Sequence, residues 1–297
     1  MNTGLTHTSQ LTFTQADFNR FAALTGDDNP IHVDPAFAAR TKFGKTVAHG
    51  MLLYSAILRG LGAMHGGSGI RQISQELMFP TPTYVQERLR LVLKTTAQPA
   101  PGAAEISTEI LRPGGQIGCS GTAVVVRDGF DPQDIKLPAG APDSPSAGQH
   151  GGADRHRGLR LGQTAEHTYT ITLDDHQAYL ALLQERNPLH TDQGYAQQQG
   201  LRDVLLTGGQ LGGMISHLLG TRLPGPGTNW LKQRFRFLKP THPGDPVTAR
   251  IQVIRLRPEK DLVNLTTRLE NPAGELLVNG QALVLVSDLE RRTYAEN

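Results

Sequence analysis

The chain of 297 residues carries 29 Lys and Arg against 27 Asp and Glu, a net charge of +2, so it has no broad field of one sign with which to hold nucleic acid. Its single cysteine, Cys119, excludes an internal disulfide and a cysteine-rich zinc site, and fits a reducing compartment. No apolar run approaches a membrane span, and MNTGLTHTSQLTFT lacks the basic start and apolar centre of a signal peptide; a cytoplasmic protein acting on small molecules is expected, with neither nucleic acid nor membrane as partner.

The first element is a helix announced by Thr14, with Asp17 three positions on, where a carboxylate meets the free N–H groups of a first turn. Phe18, Phe21 and Leu24 continue it at helical spacing, and Asn29-Pro30 is expected to end it. On one continuous helix Asp27 and His32 would stand about 140° apart. The break at Pro30 instead allows a loop that turns carboxylate and imidazole toward one point, where they form an acid/base pair able to hold one water.

A second helix is expected from Gly50. Met51, Leu52, Leu53, Tyr54, Ala56, Ile57, Leu58 and Leu61 leave it almost no polar face, so it must be buried on most sides. His49 precedes it. Its first turn presents unpaired N–H groups, and a glycine there lets a ligand oxygen come close enough to be stabilised as it gains charge. Four alternating segments follow, RQISQELMF, ERLRLVLKTTA, AEISTEILRP and CSGTAVVVR, which read as a half-apolar antiparallel sheet wrapped about the helix. Residues 131–162, rich in Pro, Gly, Ser, Asp and His without periodicity, read as a linker between domains at 1–130 and 163–297.

The same pattern then recurs 158 positions on. QERNPLHTDQGYA from Gln184 repeats GDDNPIHVDPAFA from Gly26, so that His190 answers His32, Gly208 answers Gly50 and Phe237 answers Phe79. The chain is a tandem duplication of a domain-sized unit. Glu185 replaces Asp27 and Thr207 replaces His49, which leaves Glu185 and His190 as a candidate second site with a longer carboxylate. The second buried helix carries Gly208, Gly209, Gly212 and Gly213, each weakening it by close to 1 kcal/mol relative to Ala. Packing or ligand space must explain them, and Gly209 and Gly213 are expected to face the lumen of an acyl-accommodating second half. In NWLKQRFRF, strand alternation puts Lys232, Arg234 and Arg236 on one face, a row that either binds the phosphates of coenzyme A or is a solvated sheet face.

TGDDNPIHVDPAFAARTKFGKTVAHGML resembles the signature of the MaoC-like (R)-specific enoyl-CoA hydratases. The resemblance implies an α+β fold, the double hot-dog, each repeat a long buried helix wrapped by an antiparallel sheet. It implies that Asp27 and His32 are the catalytic pair, that Gly50 supplies the oxyanion amide and that Asn29 shapes the loop. His49, a substrate-binding candidate, either orients the oxyanion turn or is a structural hydrogen-bonder at the start of a buried helix. The reaction implied is reversible addition of water across the 2,3 double bond of an acyl thioester in fatty acid metabolism. No resident cofactor or metal is expected, coenzyme A thioester being the substrate, and an acyl-carrier-protein thioester is the alternative partner. The two repeats are expected to form an intrachain pseudo-dimer, with a further homodimer left open. A hot-dog acyl-CoA thioesterase and a non-catalytic acyl-binding subunit are the competing functions.

Overall fold

The computed structural model describes residues 3–66, 69–127 and 154–288. In the first repeat the order is β1 (Thr6–Leu11), α1 (Gln15–Thr25), α2 (Pro30–Val33), α3 (Pro35–Ala39), α4 (Gly50–Met64) and then β2 (Ile70–Met78), β3 (Leu89–Ala97), β4 (Ala103–Leu111) and β5 (Ile117–Arg127). The hairpin β6 (Arg155–His156) and β7 (Leu159–Arg160) leads into the second repeat. There the order is β8 (Thr164–Thr170), α5 (Leu173–Leu183), α6 (Pro188–Thr191), α7 (Gln193–Gln198), α8 (Gly208–Thr221), β9 (Asn229–Phe237), β10 (Pro246–Arg257), β11 (Leu262–Glu270) and β12 (Leu276–Leu285). Of the segment expected to link the repeats, 131–153 lies outside the described residues, while 154–162 contains the hairpin, whose Leu159 is buried.

One ten-stranded antiparallel sheet carries both repeats, in the order β1-β3-β4-β5-β2-β9-β12-β11-β10-β8. Its seam is β2 against β9, with Ser74 opposite Arg236, Glu76 opposite Arg234 and Met78 opposite Lys232. Glu76 and Arg234 are 158 positions apart, the repeat offset, so a pseudo-twofold axis passes through that pair. The duplication thus reproduces within one chain the self-complementary contact of a twofold dimer. Helices α4 and α8 pack against each other beneath the sheet, and one apolar core runs through both repeats, from Phe18, Phe21 and Ile57 to Leu218, Val253 and Leu265.

Helix α1 begins as its sequence predicts. The Thr14 side chain caps Asp17 N–H, and the Asp17 carboxylate accepts from Thr14 N–H at 2.7 Å. Its end differs from expectation. Gly26, left-handed at φ 78°, closes α1, and Gln184 at φ 54° closes α5, in both cases ahead of the Asn-Pro. The proline starts a new helix instead. Asn29 Oδ1 accepts from Ile31 N–H and Pro30 occupies the first turn of α2, where its missing N–H costs nothing.

The glycines of α8 serve close packing, which corrects the expectation that Gly209 and Gly213 face a lumen. A Cβ at Gly212 would lie 2.5 Å from Met51 Sδ, and one at Gly213 2.7 Å from Thr25 Cγ2. At Gly209 it would overlap the hydroxyls of Ser55 and Tyr179. Strands β1 and β8, the two edges of the sheet, escape the sequence reading because little of either is buried.

Candidate active site

The short helix α2 presents His32 from a fixed platform. Its Nδ1 lies 2.7 Å from the Val47 carbonyl, and since a carbonyl only accepts, Nδ1 carries the hydrogen and Nε2 is left with the lone pair. Gln15 Nε2 donates to the His32 carbonyl at 2.9 Å, and Gln15 Oε1 accepts from Thr46 Oγ1 at 2.7 Å, so the platform is tied to the start of α1. Burial pushes the His32 imidazole below its ordinary range, with the neighbouring Asp27 acting in the opposite direction. The ring is neutral at pH 7.

Asp27, 2 % exposed, lies on the loop between α1 and α2. Its Oδ2 accepts from the hydroxyl of Ser216 at 2.5 Å, and Ser216 belongs to α8 of the other repeat. Oδ1 is buried and has no hydrogen-bond partner among the described residues. A carboxylate oxygen in that state is costly unless a water or substrate meets it. Ligand-capable atoms of Asp27, His32 and His49 lie within 4.8 Å of one another, a span that one water with two hydrogen bonds of about 2.8 Å bridges.

His49, fully buried, caps α4 by position without a side-chain cap bond. Its Nε2–H donates to the Asp27 backbone carbonyl at 3.0 Å and its ring lies 3.9 Å from that of His32. Burial and then His32 hold it well below the ordinary imidazole range, so it is neutral and positions the Asp27 loop. The same three side chains form a grouping that could offer ligands to a metal. The His32 and His49 rings are tilted by 31° against each other.

Gly50 opens α4 at the floor of a cavity of about 220 Å³, lined by Asp27, His32, Gly50, Leu53 and Phe79 from the first repeat and by Ser216, Leu219 and Trp230 from the second. Phe79 covers the turn so closely that a Cβ at Gly50 would stand 2.9 Å from its Cζ. The two α8 residues that stand next to Asp27 are absent from the expectations above. Besides Ser216 there is Gly220, where a Cβ would sit 2.9 Å from Asp27 Oδ1. The signal was available: Ser216 answers Leu58 across the repeat, and in a pseudo-dimer each site is finished by the other copy's helix.

Glu185, Asn187 and His190 line a separate cavity of about 100 Å³. His190 Nδ1 donates to the Leu205 carbonyl at 2.8 Å, as in the first site. Glu185 differs from Asp27: its Oε1 folds back to accept from the N–H groups of Arg186 and Asn187 at 2.8 and 2.9 Å. Leu58 stands where the first site has Ser216. The hydroxyl of Tyr54, bonded to Gln72 Oε1, packs directly over Gly208.

Lys232, Arg234 and Arg236 lie along the β2–β9 seam and line neither cavity. Arg234 pairs with Glu76 at 2.6 Å and Lys232 reaches it at 3.8 Å, half-exposed contacts that contribute about 0–1 kcal/mol each.

A family model described as MaoC like domain matches residues 1–109 and 159–272, and the chain belongs to that family. Its fold is the double hot-dog. A MaoC-like dehydratase structure matches over 95 % of this chain and 98 % of its own at a TM-score of 0.75 and 17 % identity. A Mycobacterium tuberculosis protein described as having a double hot-dog fold matches over 96 % of each chain at 0.73 and 14 %. The (R)-specific enoyl-CoA hydratases of Rhodospirillum rubrum and Aeromonas caviae are 37 % and 36 % identical over 128 and 126 residues, covering 43 % and 42 % of this chain and 88 % and 94 % of theirs. The 3-hydroxybutyryl-CoA dehydratase of Methylorubrum extorquens is 31 % identical over 132 residues, 44 % of this chain and 83 % of its own. All three relatives are hydro-lyases by name.

Proposed function

We propose that the chain is an enzyme, a hydro-lyase that interconverts a 2-enoyl thioester, with coenzyme A as the carrier, and its (R)-3-hydroxyacyl counterpart. The observation that carries this is the buried, unpartnered Asp27 Oδ1 next to His32, whose Nε2 keeps its lone pair, with ligand-capable atoms of the two side chains within 4.8 Å, beside the first turn of α4. The hydratases and dehydratase named above support the substrate class. In this reading residues 1–130 are the hydratase domain and 163–297 its diverged copy, which supplies Ser216.

A water held by both acceptors donates one hydrogen to each. As its oxygen attacks C3 of the enoyl group, one proton passes to the Asp27–His32 pair, electron density moves through C2 to the thioester oxygen, and the N–H groups at Gly50 stabilise that oxygen. The pair then returns a proton to C2 as the enolate collapses. One water has supplied both the hydroxyl and the hydrogen, and the pair ends as it began. Dehydration is the reverse.

Crotonyl-CoA tests the assignment when loss of enoyl absorbance and release of free thiol are followed together. Loss of absorbance without thiol is expected. Thiol release would instead identify a thioesterase, and neither signal would leave an acyl-binding subunit.

A further inference from the structure

The first cavity holds a buried hydroxyl that the hydration described above does not use. Thr83, 3 % exposed, lies on the loop between β2 and β3 and lines the cavity, and its Oγ1 has no hydrogen-bond partner among the described residues. Its backbone is spent on the segment ahead of α4: the Thr83 carbonyl accepts from Ala48 N–H at 2.7 Å, two residues before Gly50. Gly118 lines the cavity beside it, and a Cβ there would overlap the hydroxyl, so no side chain fills that place. The second repeat keeps the same residue in the same state. Thr241, 158 positions on, is buried, accepts from Leu206 N–H at 2.8 Å through its carbonyl and leaves Oγ1 unpartnered. Valine would fill either position without a hydroxyl, and a buried hydroxyl costs free energy until something meets it. A further unpartnered hydroxyl on the first cavity, Thr228 Oγ1, stands apart from Thr83, in a turn tied to α8 where Gly225 N–H donates to the Leu219 carbonyl at 3.0 Å.

Two fixed points orient a substrate here. In the hydratase reading, on which this inference rests, C3 lies at Asp27 and His32 and the thioester oxygen at the Gly50 turn. Asp27 is bordered by Ser216 and Gly220 of α8, so the acyl chain beyond C3 runs toward α8 and the Thr228 turn. Gly50 is bordered by Phe79 and, through Ala48, by Thr83, so the chain beyond the sulfur runs along the loop from Phe79 to Thr83. We propose that the Thr83 hydroxyl binds the first amide of the coenzyme A arm, the group two methylenes past the sulfur. A hydroxyl both donates and accepts, and an amide offers a C=O and an N–H, so one contact meets a polar group on each side that water no longer reaches.

The test is steady-state hydration by the full chain with three substrates. Crotonyl-CoA carries the whole arm, crotonyl-N-acetylcysteamine keeps only the first amide, and S-ethyl crotonothioate ends before it. Thr83→Val should lower kcat/KM about tenfold for the first two and less than twofold for the third, and Thr83→Ser, which keeps the hydroxyl, should recover most of the loss. Thr228→Val should show no dependence on the amide. The melting temperature of Thr83→Val should equal or exceed that of wild type, because the free protein loses no hydrogen bond. An equal loss on all three substrates, no loss on any, an amide-dependent loss in Thr228→Val, or a lowered melting temperature in Thr83→Val each overturns the proposal. Failure of the hydratase reading shows separately, as wild-type protein that leaves crotonyl-CoA absorbance unchanged.

Discussion

Ser216 is the residue on which the first site's asymmetry turns. Its hydroxyl occupies one oxygen of Asp27 and leaves the other unpartnered, so in the proposed reaction it fixes which oxygen acts. A hydrogen bond to a charged group is worth about 1.5–3 kcal/mol, and Ser216→Ala, which leaves a buried carboxylate oxygen unmet, should lower both the melting temperature and kcat for crotonyl-CoA, the latter by roughly 10- to 100-fold. Turnover within twofold of wild type would remove Ser216 from the site. The pH profile follows from His32. Burial depresses its imidazole below 6.5, and the reaction uses the neutral ring, so kcat/KM should stay level through neutrality and fall on an acid limb with its midpoint below pH 6.5. An acid limb centred above pH 7 would contradict a neutral His32. The Asp-x-Asn-Pro-x-His spacing made Asp27 and His32 legible from the sequence, because chain-local chemistry shows in chain-local motifs. Ser216 lies 189 positions from Asp27 and has no such signature.

At the scale of elements, α8 serves two ends. Its glycines bring it against α4 and α1, and Gly220 brings it against the Asp27 loop. These roles separate experimentally. Gly213→Leu should cost several kcal/mol of stability, since its side chain must displace Thr25 within a packed interior. Gly220→Ala, by contrast, pushes one methyl toward Asp27 Oδ1 and should lower turnover at least tenfold while shifting the melting temperature little. A Gly213→Leu chain that melts like wild type and merely rejects longer acyl chains would restore the lumen role. The buried helices and the eight inner strands were legible because apolar periodicity records burial. The two edge strands and the true ends of α1 and α5 were not: edge residues bury little, and a left-handed cap such as Gln184 leaves no apolar signal.

Taken as a whole, the molecule is a twofold pair made covalent and then allowed to diverge. The repeat offset told of duplication, and the β2–β9 register centred on Glu76 and Arg234 shows how the copies meet. Two polypeptides, 1–127 and 154–297, made together should therefore copurify one to one; halves that part at micromolar concentration would contradict a shared sheet and core. Burial is the leading cause that holds His32, His49, His65, His190 and His217 below the ordinary imidazole range. The unfolded chain takes up protons on these rings near pH 6.5 and the folded one only at lower pH, so stability is full above that value and falls as pH drops below it. A melting temperature that holds steady or rises from pH 7 to pH 5 would contradict this. The proposed function assigns hydration to one site, built by Asp27 and His32 and completed by the other repeat. It is tested most directly by crotonyl-CoA turnover in the Asp27→Asn/His32→Ala double variant. Activity is expected to fall by at least about 10³-fold, little further than in either single variant, because the two groups act on one water. Substantial hydration that survives in the double variant and disappears on adding Glu185→Gln would show a second working site and contradict the account.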